Sequence, residues 1–221
     1  MTEAVVRIWD LPTRLFHWAL VLVVAAMFAT ALLPGVPVDW HARCGYAVLA
    51  LLVFRTLWGF VGGYWSRFRT FVPSWRRMRD YLSGRAAPEL QVGHSPLGAL
   101  SVFAMLLTLF AQVGTGLVAD DEIAFTGPLN RYVSTSTGLA ATEWHKGAGQ
   151  WLLVALIGLH LAAVFYYLAV RKRNLIAGMV HGDQRAPAPV PASRDTPASR
   201  LLALSLLAMS FVAVALLVRT G

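Results

Sequence analysis

Five apolar runs, each long enough to cross a bilayer, dominate this sequence and leave few folds open to it. They lie at about residues 15–33, 41–62, 94–118, 143–173 and 201–218. Hydrocarbon offers the backbone no hydrogen bonds, so runs of this kind are helices. Asp10 ahead of Leu11 and Pro12 is a start signal for the first; Pro34, Gly35 and Pro37 stop it; Asp39 can cap the second. With 57% hydrophobic and only 14% charged residues, the chain is too apolar for a soluble domain and reads as an integral membrane protein. The first run follows a polar stretch and lacks a small-residue cleavage site, so it is expected to be retained as a helix.

The net charge of +8 could point to nucleic acid, but its placement speaks for topology instead. Segments 1–14, 66–94 and 171–200 hold fourteen of the nineteen Lys and Arg residues. By the positive-inside rule the N-terminus is cytoplasmic and the C-terminus, after five spans, is periplasmic, as in a multi-pass protein of a bacterial inner membrane. Within the basic connector, Trp75 to Tyr81 mixes aromatic and arginine residues and reads as a short helix lying on anionic lipid. The Pro, Ala and Ser content of 174–200 reads as a loose linker. The expected organisation is an all-α membrane protein: a four-helix transmembrane bundle over 1–180, a Pro/Ala-rich cytoplasmic linker over 181–200, and an extra transmembrane helix over 201–221.

Histidines inside apolar runs mark a ligand, a proton path or a cofactor. In the fourth run His145 and His160 stand 15 residues apart, which on an unbroken helix is about 22 Å along the axis and about 60° around it. His17 opens the first run and His41 the second. Under the topology above, His41 and His145 fall on the outer side, His17 and His160 on the inner. A low-spin haem iron takes one imidazole on each face, from helices facing one another at similar depth. The pattern therefore predicts two stacked, bis-histidine b haems whose filled axial positions leave electron transfer as their role. The single cysteine, Cys44, excludes a CxxCH attachment, so each haem is non-covalent. Zinc is the weaker reading, since a closed site wants four ligands and no pair has carboxylate or cysteine company at its depth, apart from Cys44 near His41.

Flanking residues fit the same picture, each beside a plainer reading. Gly45, Gly147, Gly149 and Gly158 leave room for a flat macrocycle, as small residues also do in ordinary helix packing. Arg55, about 21 Å below His41 by helical rise, either pairs with haem propionates or snorkels to the interface. Trp40 and Trp144 precede the outer histidines and either pack on a haem edge or belong to an interfacial belt.

With RLFHW around His17, HARCGYAVLALLVFRTLWGFVGGYWSRF from His41, GHSPLGAL around His94 and the WH and GLH pair at His145 and His160, the chain resembles the bacterial cytochrome b561 family. That family shares its fold with the b-type cytochrome subunit of nickel-iron hydrogenases, and the resemblance covers roughly residues 5–180. It implies a four-helix bundle, two non-covalent b haems held from helices one, two and four, and oxidation of a membrane quinol with electrons passed to a redox partner. The linker and fifth helix depart from the family pattern and bear on partner choice or on a homodimer.

His94 reads as a quinone hydrogen-bond partner or proton site, a propionate neighbour, a spare ligand, or an interfacial cap. His181, among Gly and Asp, reads as solvated. Asp120, Asp121 and Glu122, with Asp39 and Glu143, either steer a basic periplasmic cytochrome c or similar carrier, or form a solvated loop. The expected function is electron transfer between the quinone pool and such a carrier, with quinol oxidoreductase activity. The rivals are a membrane subunit of a hydrogenase-like complex and a non-redox, proton-relaying transporter or anchor.

Overall fold

The computed structural model describes residues 4–85, 92–186 and 189–220. In chain order it forms strand β1 (Ala4–Arg7) and helices α1 (Leu11–Leu32), α2 (Val38–Val61), α3 (Phe68–Phe71), α4 (Trp75–Leu82), α5 (Pro96–Val118), α6 (Thr135–Lys146), α7 (Ala148–Ala169) and α8 (Leu175–His181). Strand β2 (Asp183–Ala186) and helix α9 (Pro197–Arg219) complete it. Among the described residues five helices are long and apolar enough to cross a membrane, the stretch Thr135–Ala169 counting as one. The mostly helical, multi-pass expectation is thus met.

Two compact units divide the chain, and each long span contributes residues to both. The first, Met1–Leu15, Arg55–Ala104 and Ile157–Leu204, is organised on a carboxylate with no exposed surface, that of Asp10. One oxygen caps α1 by accepting from the Thr13 amide (2.9 Å), and the indole N–H of Trp58 reaches the same oxygen (3.2 Å). The other accepts from the Gly63 amide (3.0 Å) and the Ser66 hydroxyl (2.7 Å). Since Ser66 spends its only proton on Asp10, the Thr13 hydroxyl, 2.7 Å away, donates to Ser66. A side chain at position 63 would collide with the Asp10 carboxylate, so glycine is required there. A buried charge is tolerated because every direction around it holds a donor.

The N-terminus and the segment after α7 build the rest of this unit. β1 pairs antiparallel with β2, Ala4 opposite Ala186 and Arg7 opposite Asp183. Arg7 binds Asp183 (2.6 Å) and Asp195 (3.2 Å). Ser193 donates its amide to the Arg7 carbonyl (2.7 Å) and its hydroxyl to the Ile8 carbonyl (2.6 Å), while the Trp65 indole donates to the Pro191 carbonyl (2.7 Å). Ile8, Trp9, Trp65, Val92 and Ala186 form the apolar core beneath. The loose linker expected over 174–200 is therefore corrected over its described part. Proline lacks an amide donor but keeps its carbonyl, and Pro191 here uses its carbonyl as an acceptor.

The second unit comprises Phe16–Phe54, Met105–Leu156 and Ser205–Gly221. Its loop between α5 and α6 is held by side chains. One oxygen of Asp121 accepts from the amides of Ile123, Ala124 and Phe125, and the other stands 3.4 Å from Lys146. Those backbone donors, Ala124 and Phe125 first, hold the Asp121 carboxyl far below the usual range. The two-dozen-residue polar loop expected before helix four is also corrected, because α6 occupies its second half, capped by the Ser134 hydroxyl on Thr137 N. The fourth span is not one regular helix either. Gly147 (φ −105°, ψ −112°) separates α6 from α7, and a Cβ there would press within 2.7 Å of the Glu143 carbonyl. The regular spacing assumed between His145 and His160 is interrupted at that point.

Asp10→Ala orphans four donors at once and is expected to lower stability by at least about 3 kcal/mol. Ser193→Ala, which removes hydrogen bonds of one hydroxyl, is expected to cost about 1–2 kcal/mol. Melting curves in detergent, ranked Asp10→Ala below Ser193→Ala below the parent, check both.

Candidate functional site

In the second unit, His41 in the first turns of α2 and His145 in the last turn of α6 face one another, ring centres 6.0 Å apart and planes at 84°. Nδ1 of His41 lies 3.1 Å from the Met27 carbonyl, and Nδ1 of His145 lies 2.8 Å from the Gln112 carbonyl. A carbonyl only accepts, so both Nδ1 atoms donate, and in a neutral imidazole that tautomer leaves the lone pair on Nε2. This is the state in which imidazole binds a metal, and a backbone carbonyl on the other nitrogen is the usual support. Imidazole–metal bonds of about 2 Å would place opposing nitrogens roughly 4 Å apart, with the ring centres farther back, which the observed separation admits.

Gln112 holds His145 twice, its carbonyl taking the ring proton and its side-chain amide donating to the His145 carbonyl (3.1 Å). One turn along α5, a Cβ at Gly116 would stand 3.2 Å from the His145 ring, so glycine lets the ring lie against the helix. The recess around the pair is mostly apolar, lined by Val24, Met27, Phe28, Val48, Leu109 and Leu153 among others. At Gly45 a Cβ would meet only the tip of Met27, 4.0 Å away, leaving open space beside His41. Trp40 (53% exposed) lies under the Arg43 guanidinium at 5.1 Å, and Trp144 (40% exposed) lies against Gly149. Their exposure suits an interfacial position.

His17 and His160 are each placed in their own unit. His17, partly buried in the second unit, meets the Trp18 ring edge-on at 5.1 Å. His160 is partly buried on α7 in the first unit, where nothing lies within 4 Å of a Cβ at Gly158. Among the described residues no three His, Cys, Asp or Glu side chains converge on one point, so a closed zinc site is not assembled from them. A bis-imidazole site needs only two.

The first unit holds a second polar group. Arg55 is 4% exposed, its guanidinium 4.6 Å from the centre of the Phe68 ring, and Nη1 has no hydrogen-bond partner among the described residues. His94 is packed between Phe71 (4.2 Å) and Trp9 (4.7 Å), and its Nδ1 is likewise buried without a partner among the described residues. Burial, and then the positive charge of Arg55, push the His94 pKa down to about 3. The ring is neutral at physiological pH, and the two unanswered nitrogens suit an anionic or carbonyl oxygen. Gln112 and the breadth of the Asp10 cluster escaped the sequence reading. A glutamine inside an apolar run was the available signal for the first, since a polar side chain in hydrocarbon needs a purpose.

Comparison with known proteins accords with this geometry. The family described as prokaryotic cytochrome b561 matches residues 8–182. A probable Ni/Fe-hydrogenase B-type cytochrome subunit of Azotobacter vinelandii is 29% identical, covering 81% of this chain and 88% of that protein. A probable Ni/Fe-hydrogenase 1 B-type cytochrome subunit of Escherichia coli K12 (26% identical, 79% of this chain, 88% of the relative) and a probable Ni/Fe-hydrogenase B-type cytochrome subunit of Cupriavidus necator (23%, 79% and 85%) are also similar. No solved structure matches the chain. A b-type cytochrome carries haem b and transfers electrons, and the paired imidazoles of α2 and α6 fit that group. Matched along most of its length, the chain belongs to the prokaryotic cytochrome b561 family.

Proposed function

We propose that the chain holds two b haems, one between His41 and His145 and one between His17 and His160, and exchanges electrons between membrane quinol and a redox partner. The observation that carries this reading is the His41–His145 pair, 6.0 Å apart with both Nδ1 protons turned onto backbone carbonyls. A bound haem would supply an iron that takes up and releases single electrons, and the histidines of each pair would hold it. The Met27 and Gln112 carbonyls fix the tautomer and ring direction of the two ligands, and Gly116 and the apolar recess give the outer pair its seat. Gly45, Trp40 and Trp144 flank that seat. Arg55, buried with an open donor, is suited to hold a haem propionate. His94, neutral between two aromatic rings, is suited to hydrogen-bond a quinone oxygen rather than to store a proton at rest.

The charge distribution supports a cytoplasmic N-terminus and a periplasmic C-terminus, which puts the His41–His145 end outside. The similarity to cytochrome subunits of Ni/Fe hydrogenases makes a nickel-iron hydrogenase the first partner to test there. A periplasmic c-type cytochrome is the second, supported by the outward acidic loop, although Asp121 is already committed to backbone amides and Lys146. A hydrogenase that co-purifies with the chain favours the first partner.

His41→Ala and His145→Ala are each expected to lower the haem-to-chain ratio from two to one, while His17→Ala and His160→Ala remove the other haem. Pyridine haemochrome quantification and dithionite-reduced spectra check this, and a parent protein binding no haem would end the reading. His94→Gln is expected to keep both haems and slow electron exchange with quinol roughly ten-fold or more. A pH effect accompanies it. The folded pKa near 3 lies below the unfolded value of about 6.5. Above that value His94 takes nothing from stability; as pH falls toward 3 the unfolded chain gains a proton the folded one refuses, and stability drops. The loss of melting temperature between pH 7.5 and pH 5 is therefore expected to be smaller in His94→Gln than in the parent.

A further inference from the structure

Two basic stretches far apart in sequence meet in the first unit. The first is α4, whose eight residues include none that is buried. Its Arg76 and Arg79 side chains are 88% and 62% exposed and share one acid, Asp80, at 4.0 and 3.6 Å. Arg77 spends one N–H on the Thr70 carbonyl (3.0 Å), and among the described residues no carboxylate pairs with it. Residues 69–85 carry five arginines against that single aspartate. The second stretch is Arg171, Lys172 and Arg173, just past the end of α7. It is an ordered turn: Lys172 adopts φ +54°, the Arg173 amide donates to the Tyr167 carbonyl (2.9 Å), and the Arg173 guanidinium lies 5.9 Å from the Tyr167 ring. The Tyr81 and Tyr167 hydroxyls, 2.7 Å apart, join the two stretches.

Apolar side chains stand beside these charges. Trp75 is 83% exposed, Leu82 68% and Val72 49%. The same unit holds the end of α2 at Val61, the start of α5 at Pro96 and the end of α7 at Ala169, which are ends of membrane spans. A surface combining guanidinium groups with exposed tryptophan and leucine at the ends of spans matches a lipid headgroup above its acyl chains. Guanidinium is also the side-chain group best shaped for phosphate oxygens.

We propose that α4 and the Arg171–Arg173 turn, clasped by Tyr81 and Tyr167, form a headgroup site for an anionic phospholipid bearing two phosphates. Two basic clusters at one place account for a two-phosphate headgroup of the diphosphatidylglycerol type better than for one with a single phosphate. The apolar side chains of α4 seat the neighbouring acyl chains. The site is independent of haem ligation.

The test uses the purified full chain in nanodiscs of phosphatidylcholine alone, with added phosphatidylglycerol, or with added diphosphatidylglycerol matched for charge. Native mass spectrometry counts retained lipid. One diphosphatidylglycerol per chain is expected to survive delipidation, bound at least ten-fold more tightly than phosphatidylglycerol. The triple variant Arg76→Gln, Arg77→Gln, Arg79→Gln is expected to lose that difference, and Tyr81→Phe, which keeps the charge but opens the clasp, to reduce it several-fold. Arg131→Gln with Arg219→Gln, both in the second unit, leaves it unchanged. Haem spectra of all variants stay as in the parent, so a failure here is distinct from a failure of the haem reading. Equal retention of the two lipids, equal behaviour of the triple variant and the Arg131, Arg219 control, or retention of an acidic protein or nucleic acid in place of lipid would overturn the proposal.

Discussion

A polar side chain inside an apolar bundle must be answered, and how far it is answered separates the structural groups in this protein from the groups open to chemistry. Asp10 is answered in full, by an amide and an indole on one oxygen and an amide and a hydroxyl on the other, and it ties the start of α1 to the end of α2. His41 and His145 are answered on one nitrogen each, by the Met27 and Gln112 carbonyls. The remaining nitrogen of each is what a metal would use. Arg55 and His94 keep buried nitrogens with no partner among the described residues. Chemistry is therefore to be sought at the last two classes, because an evolved bundle has little reason to bury an unpaired donor that serves nothing.

Much of this was legible in the chain. Helix-length apolar runs announced the spans, since in lipid length and apolarity determine secondary structure almost alone. The pairing of His41 with His145 was expected from their depth, and α2 and α6 bring the two rings to 6.0 Å, edge to face. Features set by tertiary partners were not legible. Nothing in the local pattern around Gly147 competes with apolar helix, yet the chain breaks there, its amide still bonded to the Glu143 carbonyl. The β1–β2 pairing joins segments at opposite ends of the sequence, neither long enough to announce a strand alone. Gln112 looked like one polar residue in α5, and its double hold on His145 exists only once α6 is in place.

Composition misled most at the segment that follows the α7 turn. Proline and alanine signalled looseness because they offer few donors and little apolar surface. The folded segment uses what such chain does have. Its Pro191 carbonyl accepts from the Trp65 indole, its Ser193 donates to two carbonyls, and its Asp195 joins Arg7 to Arg200. Burial alone would raise the Asp195 carboxyl, but hydrogen bonds and charge from Arg200, the Leu11 amide and Arg7 hold it lower than usual, so it is ionised where its partners need it.

That ion bears on the fifth helix. The family match ends at residue 182, so α9 lies outside the shared region and could be taken for an appendage. Its first turn argues otherwise. Thr196 and Ser199 cap it reciprocally, amide to hydroxyl in both directions, and Asp195 immediately before them binds Arg7 on β1, the Leu11 amide at the head of α1, and Arg200 within α9 itself. A single carboxylate thus sets the entry of the last span against the entry of the first. An appendage would need a flexible joint at that point, whereas this joint is anchored to residues 7 and 11 at the edge of the Asp10 cluster. The departure from the family is for that reason built into the bundle rather than added to its end.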